Sequence, residues 1–174
     1  MLNAGETLGA DRPSRKVSIM KLLAVAVVAW ALAGTAGAQD WVYAAHGGGS
    51  AQGYDADSVT RSGTLRTAQV VVVASETQTL PSGRTWDYLV TQEQLDCTNF
   101  RRRVMVSTTH RFGQPQPTEV HTEPGQWLEP TVAGSVTGVL VRTICSDTRP
   151  DSMGFTTPEQ FARAARRVFE GGAA

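Results

Sequence analysis

Apolar positions along this 174-residue chain fall into three rhythms, and each predicts a different kind of element. The first is unbroken. Leu22 to Ala33 is apolar throughout, preceded by Met20-Lys21 and followed by the small residues Gly34 to Ala38 and the polar pair Gln39-Asp40. A cationic start, an apolar run of twelve and an Ala36-Gly37-Ala38 ending are the three parts of a secretory signal peptide, with cleavage expected between Ala38 and Gln39. Twelve residues fall short of the about 20 needed to span a bilayer, so no stable membrane span is expected after cleavage. Residues 1–19 either extend the cationic leader through Arg12, Arg15 and Lys16 or precede a true start at Met20. Residues 1–38 are therefore set apart from the folded part.

The second rhythm is the strand pattern. Trp41 to Ala45 reads as a first strand, and His46-Gly47-Gly48-Gly49-Ser50 as a turn leading to Gly53-Tyr54-Asp55. Asp57-Ser58 and Ser62-Gly63 mark further reversals. Leu65 to Ala74 contains four consecutive valines, which suits a central strand covered on both faces. Beyond a Pro81–Gly83 loop, Trp86–Cys97 and Phe100–Phe112 form a hairpin turning at Thr98-Asn99. Alternation along its second arm puts Phe100, Val104, Val106 and Phe112 on a core face. Arg101, Arg103, Ser107, Thr109 and Arg111 fall on the solvent face, while Arg102 and Met105 break the pattern. After a loop at Gln114–Pro117, Thr118 to His121 reads as one more short strand.

The third rhythm is helical. Val132, Val136, Leu140 and Ile144 recur every four residues, favouring a helix capped by Thr131. Gly134, Gly138 and Val139-Leu140-Val141 fit a strand instead, so 131–145 stays open between the two with helix preferred. Thr157-Pro158-Glu159-Gln160 is a clearer start: an N-cap, a proline at the first helical position and a glutamine placed for a capping box. Phe161, Ala164, Ala165, Val168 and Phe169 then form one apolar stripe, and Gly171-Gly172 ends it. The sum is an α+β domain: an antiparallel sheet of about five to six strands with a C-terminal amphipathic helix. The boundaries are 1–38 for the leader, 39–147 for the β-rich domain and 148–174 for a linker and the last helix.

Composition narrows the function classes. Residues 39–174 carry twelve arginines and no lysine against fourteen acids, a net charge near −2. That balance argues against nucleic acid or an anionic membrane as partner, since both select concentrated positive charge. Cys97 and Cys145 are the only cysteines, and an isolated pair in an exported chain predicts a disulfide bridge. Metal binding would need further ligands at tight spacing, and there is no C-x-x-C or H-x-x-x-H.

The candidate chemistry is thin. His46-Gly47-Gly48-Gly49 has the form of an esterase oxyanion loop, but neither Ser50 nor Ser135 sits in a G-x-S-x-G elbow, so a hairpin turn is the better account. His110 and His121 would meet only across a hairpin, as a metal or haem site of two ligands. Asp55 and Asp57 suit turn capping at least as well as acid–base work. No catalytic residue, metal or cofactor is assigned, and the chain is read as a non-enzyme. The one binding feature is the arginine face, Arg101, Arg103 and Arg111, interleaved with Ser107 and Thr109 and suited to an acidic partner.

In order and spacing, several short motifs resemble the surface-adhesin protein E-like family of Gram-negative bacteria. They are Trp41-Val42, Tyr54-Asp55-Ala56-Asp57-Ser58-Val59, Gly63, Leu95-Asp96-Cys97 before an arginine-rich strand, Trp127 and Ile144-Cys145. The resemblance spans about Trp41 to Cys145. It implies a small antiparallel sheet with helix on its C-terminal side, a Cys97–Cys145 bridge, and export to the periplasm or cell surface. It also implies adhesion to a macromolecular partner, such as the host matrix and plasma proteins vitronectin and laminin, or an envelope component. No residue-level adhesive motif accompanies it, so a soluble periplasmic domain binding a small ligand or an envelope protein is the alternative expectation. The oligomeric state is not encoded in any of these features.

Overall fold

A computed structural model describes residues 39–171 apart from positions 123, 130, 147, 148 and 152. The predicted leader, including Ala38, and Gly172 lie outside the described residues. Seven antiparallel strands form one sheet: β1 (Trp41–Gly47), β2 (Ser50–Asp55), β3 (Thr60–Ser62), β4 (Leu65–Thr79), β5 (Thr85–Asp96), β6 (Arg101–His110) and β7 (Glu119–His121). Their spatial order is β1-β2-β4-β5-β6-β7, with β3 pairing beside β4. Among the described residues two helices follow, α1 (Val136–Cys145) and α2 (Pro158–Phe169). The fold class is α+β, as the sequence patterns indicated.

Valine-rich β4 divides the core in two because its neighbouring side chains point to opposite faces. Val71 and Val73 belong to a cluster with Trp41, Ala51, Tyr88 and the α2 residues Phe161, Ala162 and Ala165. Val70 and Ala68 belong to a second cluster with Val42, Tyr54, Leu95 and the α1 residues Leu140, Val141 and Ile144. The sheet is thus sandwiched between the helices, which suits a run of four valines of which Val70, Val71 and Val73 are fully buried and Val72 partly so. Gly53 on β2 admits α2: a Cβ there would lie 2.5 Å from Phe161 ring atoms and 2.6 Å from the Val42 carbonyl oxygen.

Local chemistry sets the boundaries. Gly48 and Gly49 link β1 to β2 with φ of 57° and 77°, the two left-handed residues of a tight hairpin turn. Asp55 accepts from the Asp57 N–H and caps the 3₁₀ turn Ala56–Ser58. Thr157 caps α2, its hydroxyl accepting from Gln160 N, and Pro158 opens that helix. Residues 136–145 are helical, which resolves the open reading, but the cap is Ser135 rather than Thr131. Gly138 had favoured a strand. It is tolerated in α1 because the Val132 carbonyl packs where its Cβ would stand.

The alternation read along β6 fails at one point. Glu93 pairs with Val104 and Gln92 with Val106, so Met105 is the extra residue of a β-bulge. The bulge inverts parity: Arg101 and Arg103 share a face with Val106 and Thr108, not with Ser107 and Thr109. Thr109 is buried instead of solvent-facing, while Phe100 sits outside the strand and is 42% exposed.

Candidate interaction surface

The turn joining β5 to β6 is more tightly organised than its exposure would suggest. The Asp96 carboxylate accepts from Thr98 N (3.1 Å), Asn99 N (3.2 Å), Asn99 Nδ2 (2.7 Å) and Arg101 Nη2 (3.0 Å). Hydrogen bonds from Asn99 and Arg101 hold that carboxyl down at about 2, well below its ordinary 3.8. One residue along, Cys97 is bonded to Cys145 at the end of α1, with Cα atoms 5.5 Å apart. The bridge closes 48 positions, for which chain entropy suggests roughly 4 kcal/mol of stabilisation. Held between these restraints, Phe100 adopts φ of 50°, a conformation few non-glycine residues take.

Beyond β7 the chain returns along β6 as a strap. Gly125 N, Leu128 N and Thr131 N donate to the carbonyls of Val104 (2.8 Å), Arg102 (2.9 Å) and Phe100 (3.0 Å). This covers a sheet edge that three-residue β7 leaves open. It also delivers Trp127 to the arginines: the Arg103 guanidinium lies 4.8 Å and that of Arg101 5.5 Å from the indole centroid. Arg103 further donates through Nε and Nη2 to Gln94 Oε1 at 3.0 and 2.6 Å. Leu128 (47% exposed), Val132 (75% exposed) and Phe100 lie on this strap and turn, so exposed apolar side chains adjoin the paired arginines.

Arg111 stands apart. It follows β6, about 30 Å along the strand from Arg101 at the usual rise per residue. Its Nε lies 3.2 Å from Asp87 Oδ2 and its Nη1 2.7 Å from Thr85 Oγ1. Asp87 also accepts from Thr77 Oγ1 (2.6 Å) and Phe112 N (2.9 Å), with Arg166 of α2 at 3.5 Å. Burial alone would raise the Asp87 carboxyl, but the Thr77 and Phe112 hydrogen bonds and the two arginines outweigh it and leave it lowered. The structure therefore brings together two of the three sequence-selected arginines and ties the third to a separate carboxylate.

The other candidates disperse. His110 stacks on Tyr88 with centroids 4.9 Å apart, and burial lowers its pKa. His121 pairs with Glu119 at 3.0 Å. Ser107 opposite His121 and Thr108 opposite Val120 set these histidines on opposite faces of the sheet. Asp55 also accepts from Asp40 N, and Asp57 binds Arg149 at 2.9 Å while Arg149 reaches Asp40 at 2.6 Å. This is a clamp joining the segment after α1 to the start of β1. On the opposite side of β6 from Arg101, buried Glu93 accepts from Arg102 at 2.6 Å and Thr91 at 3.0 Å.

Sequence reasoning selected Arg101 and Arg103 but missed their partners. The pairs Asp96–Arg101 and Gln94–Arg103 follow from a hairpin centred on Thr98-Asn99, so their register was available. Trp127 arrives from a strap with no periodic signal. No helix among the described residues is long and apolar enough to cross a membrane. The profile of the family described as surface-adhesin protein E matches residues 41–146. No curated protein matches the chain.

Proposed function

Because the chain belongs to the surface-adhesin protein E family, we infer that it is a non-catalytic, exported envelope protein that holds a macromolecular partner on the turn and strap around Trp127. The family implies an adhesin-like protein of the cell surface; cleavage after Ala38, the domain limits 39–147 and 148–174, and the partner are part of this proposal. The observation that carries it is the Arg101–Trp127–Arg103 cluster beside exposed Phe100, Leu128 and Val132. Arginine and aromatic side chains dominate protein interfaces, and a backbone fixed in advance loses little entropy on binding. The partner surface is acidic with an apolar centre, and its capture weakens with salt. Arg111, tied to Asp87, contributes a more distant contact at most.

The alternative is a soluble periplasmic domain without host contact, and an apolar slot beside α2 favours it. Protease shaving of intact cells separates the two, because it removes a surface adhesin and spares a periplasmic protein. If the protein is shaved, Arg101→Glu with Arg103→Glu should weaken adhesion to matrix protein by at least tenfold while the domain stays folded. Full adhesion by that folded variant removes the arginine surface from the mechanism.

A further inference from the structure

A slot of about 410 Å³ opens between β1, the segment before α2, and α2 itself. Its walls are Tyr43, Met153, Phe155, Phe161, Ala164 and Val168, almost wholly apolar. Three polar groups stand among them: the Tyr43 hydroxyl, His46 and Arg167. Arg167 is exposed on the last turn of α2 and makes no ion pair among the described residues. His46 Nδ1 lies 2.5 Å from the Tyr43 hydroxyl. In the tautomer whose Nδ1 accepts from that hydroxyl, Nε2 carries the ring proton and faces outward as a donor.

This chemistry specifies a ligand class. Walls of this kind accept a flexible hydrocarbon chain, and the volume lies within the range of small-molecule sites. Arg167 is a permanent cation, and the tautomer of His46 that accepts from Tyr43 adds an N–H donor, so the head group that the slot complements is an anion. We propose that the slot binds a single-chain carboxylate amphiphile, a fatty acid monomer, with its tail along Phe155 and Phe161 and its carboxylate against Arg167 and His46. The site is distinct from the turn around Trp127, and the proposal deepens the alternative reading of a periplasmic domain that binds a small ligand.

Calorimetric titration of the purified protein with sodium laurate below its micelle concentration tests it, with dodecyltrimethylammonium as the cationic head of equal chain length. Laurate should bind one to one, and at least tenfold more tightly than the ammonium compound. Arg167→Glu should weaken laurate by about tenfold, the scale of one charge-assisted hydrogen bond. Ala164→Trp should fill the slot and abolish binding, and Ala164→Ser serves as the companion that keeps the slot open should the larger change unfold the protein. Absence of laurate binding, equal affinity for the two heads, or unchanged binding by folded Ala164→Trp or Arg167→Glu overturns the proposal. Loss of binding in Ala164→Ser equal to that in Ala164→Trp overturns it as well, because serine leaves the cavity in place.

Discussion

In the half of the sheet formed by β1, β2 and β4, both faces are roofed by helices and the side chains that meet them are apolar: Trp41 and Val71 under α2, Val42 and Val70 under α1. In the half formed by the ends of β5, β6 and β7, the corresponding positions hold Glu93 with Arg102, Asp96 with Arg101, and Gln94 with Arg103. The first half gains its stability from area removed from water, a non-directional term that any well-filled side chain supplies. The second depends on geometry, because each charged group must meet its partner, and a covalent bridge and a strap hold those partners in place. A surface built the second way keeps arginine and aromatic groups at the boundary with solvent, where recognition needs them. The contrast is between a half that holds the fold and a half that displays chemistry.

The strongest way to break the contrast is to open the apolar half. Phe161→Ala removes a buried ring that meets Tyr43 and Phe155, with ring centroids 5.9 and 5.8 Å away. It should lower stability by about 3–5 kcal/mol, read as a fall in urea midpoint. If the two halves differ as described, a truncation at partly exposed Arg103 lowers stability by only about 1 kcal/mol, the typical net worth of a hydrogen bond. Equal losses would erase the distinction.

Opening the bridge comes next. Paired Cys97→Ser and Cys145→Ser should lower stability by roughly 2–5 kcal/mol. Peptide mapping without reductant should show the linked fragments in the parent. The loss should be accompanied by faster amide exchange at Thr98 to Arg101, because Asp96 and the strap at Thr131 are then the remaining organisers of that turn. Exchange that rises uniformly across the domain would mean that the bridge serves the whole fold and not the displayed half.

The buried ion pair sharpens the comparison further. Arg102→Met strands the Glu93 carboxylate, only 1% of whose side-chain surface is exposed, and should lower stability by about 3 kcal/mol, the low end for a buried pair because Arg102 keeps 19% of its surface exposed. Adding Glu93→Leu should restore most of that loss, since an apolar pair removes the stranded charge. A double variant no better than the single one would show that this corner of the sheet requires charge.

The same division explains what the sequence could reveal. The apolar half was legible because burial writes itself as period: the valine run placed β4, the Phe161 stripe with its Thr157 cap placed α2, and the Gly48-Gly49 pair placed the first turn. Two cysteines alone in an exported chain gave the bridge. The polar half was less legible for three physical reasons. One extra residue at Met105 reverses every side chain beyond it, and although Met105 broke the alternation, that break alone does not say that the register shifts. Trp127 lies in a strap held by backbone carbonyls, which any sequence supplies. Three arginines at positions of the same parity looked like one face, but two turned to the same indole and the third to Asp87.

The smallest effect concerns Asp96, and its sign follows from the direction of its shift. Its folded pKa, about 2, lies below the ordinary 3.8, so the folded state holds its proton more weakly than the unfolded chain. The resulting stabilisation is fully present above about pH 4 and is lost as pH falls through about 2. Asp87 and Glu159 are lowered as well, the latter first by the Gly113 N–H and then by Arg163, so the parent alone gives a composite curve. Asp96→Asn isolates the one residue: the amide keeps the shape and removes the titration, while Asp87 and Glu159 remain in both proteins. Urea midpoints measured from pH 5 to pH 2 should fall more steeply for the parent than for the variant, and the curves should converge near pH 2. The variant should also loosen the Arg101 side chain, releasing it from Asp96 but leaving Trp127 as its neighbour. Parallel curves would mean that the turn is organised by the bridge and the strap alone, which would place the whole of the displayed half under covalent and backbone control.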